Sequence, residues 1–177
     1  MKKVFVAAAI LGAMGFASSA SASVASQSFS WAGSVPAAST NSTWIIKTPQ
    51  GDDIPGAGSL TFTTVGGKGE LTGASDLQFK VFEYSGGKVG STATSYTYQL
   101  TSLAVSNAGL AAEQGANGYF EVKANGAALV KGQDVTVSNG DATSLIVAPT
   151  SVATPSNQPD AGDDVYVQAS IVVSAAS

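Results

Sequence analysis

Apolar and polar residues alternate with a period of two along most of this chain. In residues 164–174, Val165, Val167, Ala169, Ile171 and Val173 share one parity, while Tyr166, Gln168, Ser170 and Ser174 share the other. Alternation of this kind describes a strand with one buried face. Residues 28–36 repeat the pattern: Phe29, Trp31, Gly33 and Val35 fall on one side, and Ser28, Ser30, Ala32 and Ser34 on the other, with Pro36 as the stop. Between these two stretches, β-prone runs cover residues 43–47, 59–65, 77–84, 95–105, 119–123, 134–138 and 144–148. Within 95–105 the apolar parity changes between Leu100 and Leu103, which predicts a bulge or break. Residues 104–114 are the one place where a helical turn or two is expected.

Turn residues separate the runs. Asn117-Gly118, Asn125-Gly126 and Asn139-Gly140 each match the dipeptide best suited to a tight hairpin with two positive φ values. Gly-Gly-Lys occurs at Gly66 and again at Gly86 with unmatched flanks, so the triplets read as two similar turns rather than a repeat. Residues 148–163, with Pro149, Pro155 and Pro159, read as loop or edge because proline donates nothing to a ladder. Roughly eight short strands spaced by turns predict an all-β, antiparallel sandwich.

Composition narrows the chemistry. Lys2 and Lys3 precede an apolar run, residues 4–16, and Ala20-Ser21-Ala22 offers a small-x-small cleavage site. These are the parts of a secretory signal peptide spanning residues 1–22. Export is therefore expected, and no segment reaches the length needed to cross a bilayer as a helix. The chain holds neither Cys nor His, and all eight basic residues are lysines against twelve acids. Removal of the leader takes two lysines with it, leaving six against twelve, a net charge of −6. That balance argues against nucleic acid or anionic lipid as a partner.

Without thiolate, imidazole or guanidinium, catalysis would rest on carboxylates, Lys, Tyr and Ser, and no motif assembles them; the chain reads as a non-enzyme with no cofactor. Asp160, Asp163 and Asp164 are oxygen donors in a loop, but their spacing fits no EF-hand and they read as solvated. No metal site is therefore expected. Asp52-Asp53 reads as a turn. Glu83 and Glu121 follow strand alternation as solvent-side residues, with nothing to set them at glycosidase spacing. Tyr96, Tyr98 and Tyr119 read as core or sheet surface before they read as a sugar-binding platform.

An amphipathic strand at each end is unusual, since free arms fray and exposed apolar edges aggregate. The residues that carry this arrangement are 29–36, Asp53-Ile54-Pro55, and Asp160-Ala161-Gly162 running into Val165–Val173. In order and placement they resemble the pilins of chaperone–usher fimbriae, most closely the cysteine-free branch of colonisation-factor, alpha-type major subunits. The resemblance covers about a fifth of the chain beyond the leader. It departs from the family where no acid stands between Val35 and Pro36, and where Trp31 replaces a smaller aliphatic residue.

The resemblance implies an incomplete immunoglobulin-like sandwich, residues 37–177, completed by a donor strand from a neighbouring subunit. Phe29, Trp31, Gly33 and Val35, within an arm of residues 23–36, would fill the neighbour's groove. Val165, Val167, Ala169, Ile171 and Val173 would line that groove's edge. The implied partners are identical or related pilin subunits, a periplasmic chaperone, an outer-membrane usher, and a host or surface receptor. The implied location is a fimbria on a Gram-negative-type cell, reached through the periplasm, with roles in adhesion and biofilm formation. Read without the resemblance, the arm is the first strand of its own sandwich, and the protein is a self-contained secreted binding module of lectin-like or biofilm-matrix type.

Overall fold

Two Gly-Gly dipeptides turn the first half of the chain back on itself twice. The computed structural model describes residues 28–31, 43–107 and 109–177. Its strands are β1 (Ser28–Trp31), β2 (Trp44–Lys47), β3 (Gly58–Val65), β4 (Lys68–Ala74), β5 (Leu77–Ser85), β6 (Lys88–Thr92) and β7 (Tyr96–Asn107). There follow β8 (Ala112–Glu113), β9 (Phe120–Ala124), β10 (Ala127–Ala128), β11 (Asp134–Val137), β12 (Thr143–Pro149) and β13 (Val165–Ala176). Gly66 and Gly67 hold φ of 58° and 79° between β3 and β4, and Gly86 and Gly87 hold 57° and 78° between β5 and β6. The pairs Val65–Lys68 and Ser85–Lys88 close these hairpins, so the two triplets are indeed alike as turns. Positive φ at two successive positions is what a two-residue hairpin of matching twist demands, and Gly adopts it without a Cβ clash.

The Asn-Gly dipeptides behave less uniformly than their sequence suggests. Asn125 (φ 49°) and Gly126 (φ 85°) close the β9–β10 hairpin as expected. Asn139 and Gly140 also take positive φ, yet β11 pairs with β7 while β12 pairs with β9 and β5. That turn therefore carries the chain from one sheet to another. Asn117-Gly118 is no positive-φ turn; the Gly118 N–H donates to the Gly115 carbonyl in a local loop. The dipeptide specifies a backbone bend, and tertiary packing decides which strands the bend connects.

All pairings among the described strands are antiparallel. One sheet runs β10-β9-β12-β5-β2, with β6 added to β5; a second runs β11-β7-β13, with β8 added to β7; a third runs β1-β3-β4. The helical expectation for residues 104–114 is wrong: β7 continues to Asn107, and β8 returns against Ala104 and Val105. The parity change in β7 is a bulge, since Ser170 pairs with Ser102 while Ile171 pairs with Leu100, skipping Thr101. The expected signal peptide (1–22), and Gly33, Val35 and Pro36 of the arm, lie outside the described residues.

Two apolar clusters hold the sheets together. The first joins Phe79 and Val81 of β5, Val122 and Ala124 of β9 and Leu145 of β12 to Tyr96, Tyr98 and Leu100 of β7 and Ala169 and Ile171 of β13. The second joins Leu60 of β3, Leu71 of β4, Tyr119, Phe120 of β9, Val147 of β12, and Val165 and Val167 of β13. Each cluster draws on strands of different sheets, so the sheets face one another across these side chains. The Tyr119 hydroxyl reaches across to accept the Leu71 N–H at 2.9 Å, giving a buried backbone donor its partner.

The first cluster holds a small polar element. Tyr96 donates its hydroxyl to the Asp141 carbonyl and shares a 2.7 Å hydrogen bond with the Thr143 hydroxyl. The Tyr98 hydroxyl is buried near Thr143 but makes no hydrogen bond of acceptable geometry. Burial pushes both phenol pKa values up. Removing a hydroxyl that has no partner forfeits little, whereas removing a satisfied one strands its neighbours. Tyr98→Phe should therefore leave the melting temperature unchanged or raise it slightly. Tyr96→Phe should lower stability by about 1–2 kcal/mol. Thermal unfolding followed by circular dichroism compares the two; equal losses in both variants would contradict this account of Tyr98.

Candidate functional site

The first strand lies on its own chain. β1 pairs with β3 in the register Ser28–Thr61, Phe29–Leu60, Ser30–Ser59 and Trp31–Gly58. Leu60 is fully buried and belongs to the second apolar cluster, while Ser59 and Thr61 are exposed. Alternation along β3 thus places Phe29 opposite the one core residue in this short ladder. Phe29 and Trp31 are brought to β3 in cis, the arrangement that the sequence allows without any resemblance.

β3 is paired with β4 on one flank and, over Gly58–Thr61, with β1 on the other. β13 differs. It pairs along nearly its whole length with β7 and, among the described residues, with no other strand. β1 also runs close to β13 without forming a ladder with it, whereas β3 and β13 have no comparable approach to each other. The first strand therefore stands between the β3–β4 hairpin and the last strand.

The apolar parity expected of β13 is the parity observed. Val165, Val167, Ala169 and Ile171 are buried, Val167 completely, and Tyr166 on the opposite face is exposed. Val173 departs from the pattern: it is only half-buried, packed at the margin of the first cluster. Two register shifts, at Ser170/Ile171 and Val173/Ala175, explain why alternation degrades toward that end. Val165 and Val167 share the second cluster with Leu60, so the face of β13 and the core side of β3 meet in one apolar volume.

Comparison with protein-family models, curated proteins and solved structures finds no match to this chain. What the strands can do must therefore be argued from their own geometry.

The other candidates separate clearly. Tyr96, Tyr98 and Tyr119 are 1%, 0% and 3% exposed, so they form core and present no platform to a sugar. Glu83 is exposed on β5, and Glu121 sits on β9 beside Lys123 at 3.3 Å, with β12 between the two strands. Among the described residues, no group of three or more acids is placed to hold a metal ion. Asp160 pairs with Lys68, and the Asp163 carboxylate accepts the Asp160 N–H, which are turn-stabilising roles. Hydrogen bonds from Lys131 and then Ser102 hold the Glu113 carboxyl at a pKa of about 2, but Glu113 lies on β8, across β7 from β13. No helix among the described residues is long and apolar enough to cross a membrane, which leaves strand-based crossing unaddressed.

Sequence reasoning missed β4, β6, β8 and β10. The signals for β4 and β6 were the Gly-Gly turns themselves, because a two-residue hairpin turn needs a second strand behind it. Their own residues, such as Lys68-Gly69-Glu70 and Lys88-Val89-Gly90, carry too few large apolar side chains to announce them.

Proposed function

We propose that this chain is the structural subunit of an extracellular polymer of fimbrial type. Its body would be an immunoglobulin-like sandwich whose first strand is exchanged between neighbouring copies. The single observation that carries this reading is the placement of β1: a four-residue strand near the start of the chain, set between the β3–β4 hairpin and the otherwise unpaired flank of β13. A strand held by so short a ladder is easily released, and a neighbour's copy of the same strand can reform every contact it loses. Exchange passed head to tail does not close on itself, so it generates a fibre. The partners are copies of the same or related subunits, with a chaperone covering the vacated edge before assembly and an usher at the outer membrane. The roles that follow are surface attachment and biofilm formation, with no catalytic step.

One observation favours a second reading. Because β1 already pairs in cis, the chain can also be a complete, self-contained secreted β-sandwich that acts as a binding module. The two readings differ in a simple gel. Protein purified from the cell surface should run as a ladder of oligomers in SDS without heating and collapse to one band after boiling. A chain lacking residues 23–36 should give no ladder and should fold poorly alone. A truncated chain that unfolds and refolds reversibly as a monomer would overturn the polymer and support the binding module.

A further inference from the structure

Resting on the polymer reading, we propose that β1 is a self-cap, a strand that keeps a single copy from accepting a neighbour's arm until it leaves its own body. The argument begins with edges. β3 has two, and both are in use, one by β4 and one by β1. An incoming strand cannot hydrogen-bond to the Gly58–Thr61 half of that edge while Ser28–Trp31 occupies it, because the backbone groups that face β1 there are already in a ladder. The same four residues also lie close to β13, without a ladder to it. In a free subunit an arriving strand therefore meets β1 over the Gly58–Thr61 half of this edge and must displace it to pair there.

The cap is built to be displaced. Its ladder is four residues long, against twelve in β13 and eight in β3. An edge strand of four residues contributes few ladder hydrogen bonds to hold it against its neighbour. Its place in the same chain helps to hold β1, giving it an effective concentration on the order of millimolar at its own edge. A neighbour's arm at micromolar concentration loses that competition until the cap opens. Once inserted, a donor that includes the alternating residues as far as Val35 offers a longer apolar row than the four residues it displaces. Polymer growth is thereby limited by cap release and not by collision.

Cysteine chemistry tests this cleanly, since the chain has none of its own. Ser28 and Thr61 are directly opposite in an antiparallel pair, where Cα atoms lie about 4.5–5.5 Å apart, within the range a disulfide spans. The double variant Ser28→Cys/Thr61→Cys, made in the chain from Ser23 onward, should form a monomeric crosslink on oxidation. A fluorescent synthetic peptide of residues 23–36 then reports whether the edge is open. The reduced double variant should take up peptide at a rate that levels off as peptide concentration rises. The oxidised protein should take it up at least tenfold more slowly, and reductant should restore the rate. Circular dichroism and the single variant Ser28→Cys establish that both forms are folded.

Peptide uptake that is equally fast in the oxidised and reduced protein would overturn the self-cap, as would a rate that climbs linearly with no plateau. A crosslink found only between chains would show that β1 sits in trans, and would sink the self-cap while supporting the polymer. Reduced protein that gates peptide as described but never forms oligomers would sink the polymer reading alone.

Discussion

Val167→Asp should leave no folded protein at neutral pH, while Tyr166→Asp, one residue away, should be tolerated. Val167 is fully buried in β13, among Leu60, Leu71, Phe120 and Val147. Among these apolar side chains an introduced carboxylate must either stay ionised in a poorly solvating environment or take up a proton. Either route costs several kcal/mol, a large share of the 5–15 kcal/mol by which domains of this size are stable. Tyr166 is 37% exposed on the other face, where an acid remains hydrated and changes stability by about 0.5 kcal/mol or less. Soluble yield and far-ultraviolet circular dichroism read the contrast. Native-like Val167→Asp protein would mean that this face of β13 is not core, and the proposed acceptor edge would go with it.

Phe120→Ala should be nearly as damaging for a different reason. Phe120 is 1% exposed, with its ring 4.9 Å from Tyr119 and 6.3 Å from Phe62, both in edge-to-face arrangement. Its backbone is fixed as well: the Gln114 amide accepts the Phe120 N–H and donates back to the Phe120 carbonyl, standing in for a neighbouring strand. The backbone cannot move to fill the space left by a missing ring, so the cavity persists. Large-to-small changes at such sites cost about 3–5 kcal/mol. At a urea slope of about 2 kcal/mol per molar, the midpoint should fall by roughly 2 M. A midpoint shift under about 0.5 M would show that the second cluster collapses around the vacancy and does not depend on this ring.

The two substitutions probe what residues 119–123 and 164–174 announce without a structure. Both segments are recovered as strands, with Phe120, Val122 and Ala124 buried along one and Val165, Val167, Ala169 and Ile171 along the other, although Tyr119 is buried off that parity and Val173 is only half-buried. Period-two patterning succeeds there because each strand is apolar on one face and polar on the other. It fails for β4 and β6, where Gly, Lys, Glu and Ser fill hairpin return strands and the turn holds the information. It also fails at residues 104–107, where Ala-Val-Ser-Asn allows a helical reading. Pairing with β13 settles that segment as strand, an instance of tertiary context overriding local preference.

The arm is the more instructive case. Alternation at Phe29 and Trp31 indicates a strand seeking a partner, and it is silent on which partner. The structure supplies one, β3 of the same chain, and places the strand beside β13. Self-pairing and the proposed exchange would use the same kind of backbone hydrogen bonds, so sequence pattern does not distinguish them.

By itself, then, the sequence determined an all-β chain with antiparallel pairing, the inward parity of its longest strands, and the exclusion of thiol and imidazole chemistry. Local periodicity and composition suffice for these because each depends on residues within a few positions of one another. Which strands neighbour which was decided only in three dimensions: that Asn139-Gly140 crosses between sheets, and that β1 pairs with β3 and lies near β13. Backbone hydrogen bonds are chemically identical at every edge, so partner choice rests on which apolar faces can be buried together.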